Sequence, residues 1–517
     1  MNRRILVFQV LVILLALTVV GVMTVLAGSF TTGPLVQVSG TSPFAACTED
    51  NLAGQTGTNF LDSEVEPWVD VNPTNPSNIV GAWQQDRWSN GGARGLVAGV
   101  SLNGGANWQQ VVIPGISDCS GGIYDRSTDP WVTFSPNGHV YQLALSFNDV
   151  APPFVEGSGG DFDHALLASK STDGGLTWTQ PAEVIRDLDA NVFNDKQSIT
   201  ADPLDSDFIY AVWDRLVFPP AERANVIAGF VTAAFRGPAW FARTTDGGGS
   251  WEPARLIFDP GQNNQTIGNQ IVVLPDGDLA NVFDLITIRR GAIATGAFFN
   301  VALIRSEDQG VTWGPQARSG KIKPIIISPL RTIFVTDPET GDDVRTGDII
   351  PDIAVDATSG SLYTVWQDAR FNGVDQIAFS MSTDGGFTWT APIKVNQTPG
   401  NIPLGNQQAF TPSVDAAADG AVAVTYYDFR NNTLDPTTLP TDYFIVHCHA
   451  DCSNPANWGD EVRLTDVSFD MRLAPFAGGF FTGDYEGLAS DGNDFLAFYS
   501  QTHGSDPGSI FFRRATP

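Results

Sequence analysis

The chain has 517 residues and carries 57 Asp and Glu against 28 Lys and Arg, a formal net charge of −29. A surface this acidic repels phosphate backbones, which argues against nucleic acid as a partner. The 52 Gly and 33 Pro, with aromatic residues recurring at regular places, suit many short strands joined by tight turns.

The first element is a targeting segment. Arg3 and Arg4 precede an apolar run from Ile5 to Ala27, broken only by Gln9, Thr18, Gly21 and Thr24. Val25-Leu26-Ala27 before Gly28 offers small residues for cleavage. The run is also about long enough to span a bilayer, so residues 1–27 read as a signal peptide or as a signal anchor. Either reading places residues 28–517 outside the cytoplasm, and membrane attachment follows only if the segment is retained. In an exported chain, four Cys suit two disulfides.

Further along, one octet recurs. Ser101 to Trp108 is followed by Ser171-Thr172-Asp173-Gly174-Gly175-Leu176-Thr177-Trp178, then by Thr244 to Trp251, Ser306 to Trp313 and Ser382 to Trp389. The pattern is S-x-D-x-G-x-x-W. Its Asp can bond N–H groups of its own turn, its Gly supplies positive φ, and its Trp packs the turn against the sheet. These residues therefore read as hairpin staples rather than as catalysts. Around the first octet lie four strands: Pro67 to Val71, Ile79 to Trp83, Gly95 to Val100 and Gln110 to Ile113. Four strands per unit is the blade of a β-propeller. Equivalent units begin near Pro130, Gln197, Asn269, Pro351, Pro412 and Tyr485.

The last unit has only three strands, and Leu35-Val36-Gln37-Val38-Ser39 resembles the missing fourth. The expected fold is an all-β single propeller of four-stranded blades, seven by this count with six as the alternative. The N-terminal strand closes the ring and removes its free edges. Cys47 follows that strand and Cys119 follows the first blade, so they are expected to pair, leaving Cys448 with Cys452. The alternative for the second pair is a metal held with His447 and His449. No acidic loop has EF-hand spacing, and neither a metal nor a cofactor is expected. The chain is expected to be a monomer.

Chemistry in such a fold gathers on the face carrying the second-to-third strand loops and the blade connections. The second strands end in Gln85-Asp86-Arg87, Asp214-Arg215, Gln367-Asp368-Ala369-Arg370 and Asp428-Phe429-Arg430, with Asp149 and Asp284 alone at the comparable places. The first strands begin with Glu64 and Glu66, Asp129, Asp195 and Lys196, Asp348 and Asp352, and Asp484-Tyr485-Glu486. A repeated Asp–Arg pair also reads as a structural salt bridge, because a catalytic residue is needed only once.

The octets and blade pattern resemble the sialidase superfamily. The stretch from Leu362 to Arg370, continuing to Gly386, looks like that family's acid-bearing blade and implies Asp368 as acid/base. Tyr485, followed three residues later by Leu488, looks like its nucleophile segment, with Glu486 adjacent but pointing the other way in an extended strand. The resemblance implies guanidinium groups that grip a sugar carboxylate, for which Arg87, Arg215, Arg370 and Arg430 are the candidates. Two family positions differ. Ile349-Ile350-Pro351 stands where R-I-P is expected, with Arg345 out of register, and the place of a Glu falls near Gly268. The readings are a secreted hydrolase of terminal sialic acid or a related acidic sugar, and a non-catalytic propeller binding glycan or protein on its polar face. A neutral-glycan hydrolase with paired carboxylates is a third.

Overall fold

The computed structural model describes residues 30–148, 163–189, 191–217, 236–290, 295–317 and 319–517. The expected signal or anchor and Asp149 lie outside them. Strand alternation decides the architecture. In the strand Ile79–Arg87, Val80 and Ala82 pack with Val132, Phe134 and Leu167, whereas Ile79 and Trp83 pack the other way with Leu496 and Phe498. Each sheet thus buries both faces, and an apolar cluster fills each of the seven blade-to-blade interfaces.

The blades are antiparallel and follow chain order around the ring. Blade 1 is Glu64–Val71, Ile79–Arg87, Ala93–Ser101 and Gln109–Val112. Blade 2 is Arg126–Phe134, Val140–Phe147, His164–Ser171 and Ala182–Asp187. Blade 3 is Val192–Ala201, Ile209–Val217, Ala239–Thr244 and Arg255–Phe258, and blade 4 is Asn264–Val273, Leu279–Arg290, Thr295–Ser306 and Ile325–Leu330. Blade 5 is Asp352–Val355, Leu362–Asp368, Gln376–Ser382 and Ile393–Lys394; blade 6 is Ala409–Ala416, Val422–Asp428, Pro440–Cys448 and Gly459–Arg463. Blade 7 contributes Gly487–Asp491, Asp494–His503 and Asp506–Thr516. Its outer place is filled from the N-terminal side by Thr31–Thr32 and Val36–Gln37, which pair with the last strand at Thr31↔Thr516 and Val36↔Phe512. The count is seven.

The octets form one turn repeatedly. In the second, the Ser171 hydroxyl accepts from Gly175 N at 2.9 Å and donates to Asp173, which accepts from Thr177 N at 2.9 Å. Gly105, at φ 91°, shows why the second Gly matters: a Cβ there would lie 2.1 Å from the Phe512 ring across the closing interface. Cys47 is bonded to Cys119 and Cys448 to Cys452, with no free Cys. Among the described residues, no helix is long and apolar enough to cross a membrane.

Polar staples tie the innermost strands to one another. Asp70 accepts from Phe134 N at 2.6 Å, Thr133 from Ala201 N at 3.1 Å, and Asp352 from Val414 N at 2.8 Å. Asp70 and Thr133 line a central cavity of about 430 Å³ whose wall includes Trp68 and Trp131, with ring centroids 3.6 Å apart. One insertion stands outside the blades. Val335–Thr336 and Asp343–Arg345 form a hairpin, and the latter strand runs parallel to Phe480–Phe481.

Candidate functional site

The first strands of blades 1, 2, 3, 4 and 6 each break register. At each break one residue takes the left-handed conformation: Glu66, Asp129, Lys196, Gly268 and Thr411. A bulge of this kind adds a residue, bends the strand and re-aims a side chain. Four of the five are not glycine, so these positions hold backbone strain that the surrounding sheet maintains.

Three of these residues, Glu66, Asp129 and Lys196, send their side chains together near the propeller axis. Lys196 Nζ lies 2.6 Å from Asp484 Oδ2, 3.3 Å from Glu66 Oε1 and 3.4 Å from Asp129 Oδ1. Blades 1, 2, 3 and 7 thereby contribute to one cluster. The insertion hairpin adds Arg345, whose Nε and Nη2 reach the two Asp484 oxygens at 3.0 and 2.6 Å. Arg87 and Arg345 lie over the same Phe481 ring, 5.0 and 4.5 Å from its centroid. Arg87 is hydrogen-bonded to Gln84 through Nη1, and its buried Nε has no partner among the described residues.

Burial and charge push these groups apart in proton affinity. Burial drives Glu66 well above the carboxylate range against the pull of Lys196. Burial also works to raise Asp129, but Lys196 and a hydrogen bond with Glu66 hold it low. Asp484 is equally buried, yet Arg345 and Lys196 hold its carboxyl well below the usual range. Burial would lower Lys196, and its carboxylates outweigh that and raise it well above the ordinary lysine value. Nearby, burial and the charge of Asp129 raise Asp195 to about 6, and burial with Asp375 and Asp484 raises Asp348 to about 7. Glu66 and Asp129 are thus driven in opposite directions, the condition for assigning one acid and one base.

Tyr485 stands beside this pair. Its ring centroid is 6.1 Å from that of Trp68 and 5.6 Å from that of Trp131, with Lys196 Nζ 5.8 Å away. Its hydroxyl is buried, with no hydrogen-bond partner among the described residues. Burial, with the charges of Glu66, Asp129 and Asp484, keeps the phenol protonated far above neutrality. A cleft of about 10 Å³ adjoins it, lined by Trp131, Lys196, Gly268, Asn269, Gln270 and Ile350.

Of the residues singled out from sequence, Tyr485 and Arg87 reach this cluster. Glu486 turns away, as strand alternation requires, and accepts from Ser500 N at 3.0 Å. Asp368 does not join: it accepts from Trp366 Nε1 at 2.9 Å, Arg370 N at 2.9 Å and Arg370 Nη2 at 2.6 Å. Arg370 also binds Ser328 at 2.9 Å, stapling blade 5 to blade 4. Arg430 is spent on Asp428 at 2.6 Å and on Glu461 at 2.8 Å, both in its own blade. Arg215 binds Asp187 at 2.7 Å and stacks over Trp240. The expected convergence of arginines on Tyr485 is therefore corrected at these three positions. In two of them the cause is local, because the backbone N–H of Arg370 or Arg430 bonds the Asp two residues earlier and folds the guanidinium back onto it.

The groups that do gather, Glu66, Asp129, Lys196 and Asp484, stand at the starts of first strands, where sequence reading placed an acidic ring without roles. Glu66-Pro67-Trp68 and Asp129-Pro130-Trp131 repeat an acid-Pro-Trp order that marks the bulge. Arg345 is carried in by an insertion between blades, and nothing in the repeat marks it.

No protein-family model and no curated protein matches the chain. Among solved structures, it is similar to a protein of unknown function from Dyadobacter fermentans, with TM-score 0.46 and 13% identity over 94% of this chain and 99% of that one. It is also similar to an α-L-arabinanase of Penicillium chrysogenum complexed with arabinobiose, with TM-score 0.43 and 12% identity over 77% and 94%. A Trypanosoma rangeli sialidase in complex with the inhibitor DANA gives TM-score 0.45 and 15% identity over 80% and 59%. These are similarities of chain architecture, and the chemistry is argued from this chain's own residues.

Proposed function

We propose that this protein is a sialidase-like, exported glycoside hydrolase that works at the axial cluster. The observation that carries the reading is the convergence of Glu66 and Asp129 on Lys196 Nζ, at 3.3 and 3.4 Å, beside the buried Tyr485 hydroxyl, gathered from four blades. In the proposed reaction the Tyr485 oxygen bonds to the anomeric carbon as the glycosidic C–O bond breaks. The phenol proton passes to Asp129, and the Glu66 proton passes to the leaving oxygen. Water activated by Glu66 then releases the sugar from Tyr485. Glu66 thus takes the acid/base place that the resemblance gave to Asp368, and Asp129 assists Tyr485.

A second reading, a non-catalytic propeller binding glycan or protein on its polar face, is favoured by one specific observation. The cleft beside Tyr485 holds about 10 Å³, room for a water and not for a sugar ring. Hydrolysis of fluorogenic glycosides, neutral ones and a sialoside, by residues 28–517 separates the readings. Turnover lost in both Glu66→Gln and Tyr485→Phe supports the hydrolase, and turnover kept in both refutes this site. No turnover from folded protein supports the binding module.

A further inference from the structure

Resting on the axial cluster as the sugar site, we infer that the Asp484 carboxylate occupies that site's anion position, so that it takes sugars without a carboxylate and refuses acidic ones. A two-toothed guanidinium grip joined by an ammonium is how proteins hold a free carboxylate. Here Arg345 supplies both teeth and Lys196 the ammonium, and the carboxylate they hold belongs to the chain itself.

The surroundings are built around that arrangement. A Cβ at Gly347 would lie 2.1 Å from the Asp484 carbonyl oxygen, so only glycine lets the insertion deliver Arg345. Asp484 N bonds Glu66 at 3.3 Å, which fixes the segment from the other side. Around the axis, Lys196, Arg345 and Arg87 face Glu66, Asp129 and Asp484. A sugar carboxylate would have to displace Asp484 from Arg345 and Lys196 to be gripped by them.

The test is titration calorimetry with acetate and with N-acetylneuraminic acid, on residues 28–517 and on Asp484→Gly and Asp484→Asn. Wild type should bind neither anion. Asp484→Gly should bind acetate at least about tenfold more tightly than wild type, and adding Arg345→Gln should abolish the gain. Acetate binding no better than wild type in cooperatively folded variants would overturn the inference. If neither variant folds, wild type decides: N-acetylneuraminic acid binding that Lys196→Met removes overturns it, and refusal upholds it. Binding is read without turnover, so an inactive protein that refuses anions fails only the hydrolase reading. Turnover of a sialoside at this site fails only the present inference.

Discussion

Replacing Lys196 by Met removes the ammonium that three buried carboxylates share while keeping the volume of the stem. Contacts at 2.6 and 3.4 Å with Asp484 and Asp129 would each be worth about 5–6 kcal/mol gross at an effective dielectric of about 20. Most of this is cancelled by the cost of burying the ammonium, whose side chain is 11% exposed. Arg345 continues to hold Asp484, and Glu66 already keeps its proton, so Asp129 bears most of the loss. The net destabilisation expected is about 3–5 kcal/mol at pH 8. Urea unfolding followed by tryptophan fluorescence should show a lower midpoint with an unchanged slope. Lys196 has a raised affinity for its proton, so its own contribution is present at neutral pH and is lost only in the alkaline range. Between pH 5 and 8 the variant therefore reports on the acids alone. At pH 5 the abandoned carboxylates can take up protons, and the loss should shrink. A destabilisation below about 1 kcal/mol at pH 8, or equal losses at both pH values, would refute the reasoning.

Two further outcomes follow from burial and packing. Burial raises Asp70 to about 6 and Asp352 to about 7, and burial with neighbouring charge raises Asp415 to about 7 and Asp214 to about 8. Such groups keep protons that the unfolded chain has released, so their contribution is full below the ordinary Asp value and is lost as pH rises through 6 to 8. The melting temperature should be higher at pH 5 than at pH 8, and the opposite order would contradict the assignment. Gly105→Ala should cost about 1–3 kcal/mol, since it combines φ 91° with a clash against Phe512. Gly277→Ala, at φ 87° with nothing within 4 Å, should cost clearly less in the same thermal melt, and equal losses would rule out the packing argument.

The blade was legible because its signals are local. The octet from Ser382 to Trp389 specifies its own turn through bonds within five residues, and alternation in Ile79-Val80-Gly81-Ala82-Trp83 assigns each side chain to a neighbouring blade. The closing strand was legible for the same reason, as a fourth-strand pattern displaced to the other terminus. The site was less so. Asp368 and Arg370 lie in a family-like motif, yet Arg370 closes on Asp368, as the repeated Asp–Arg pair suggested, and its further bond to Ser328 of blade 4 is invisible in the repeat.

What the sequence determined by itself was the repeat, the strand alternation and the turn chemistry, which depend on neighbours along the chain or along one blade, and the pairing of Cys47 with Cys119, which follows from the order of adjoining blades. Tertiary structure alone decided which charges meet. Glu66, Asp129, Lys196 and Asp484 come from four blades, and Arg345 from an insertion. Bulges aim the first three inward, and ring closure brings Asp484 within 2.6 Å of Lys196 across 288 residues of chain. Electrostatic pairing depends on distance in space, and a local pattern carries no record of which blades the ring will set side by side.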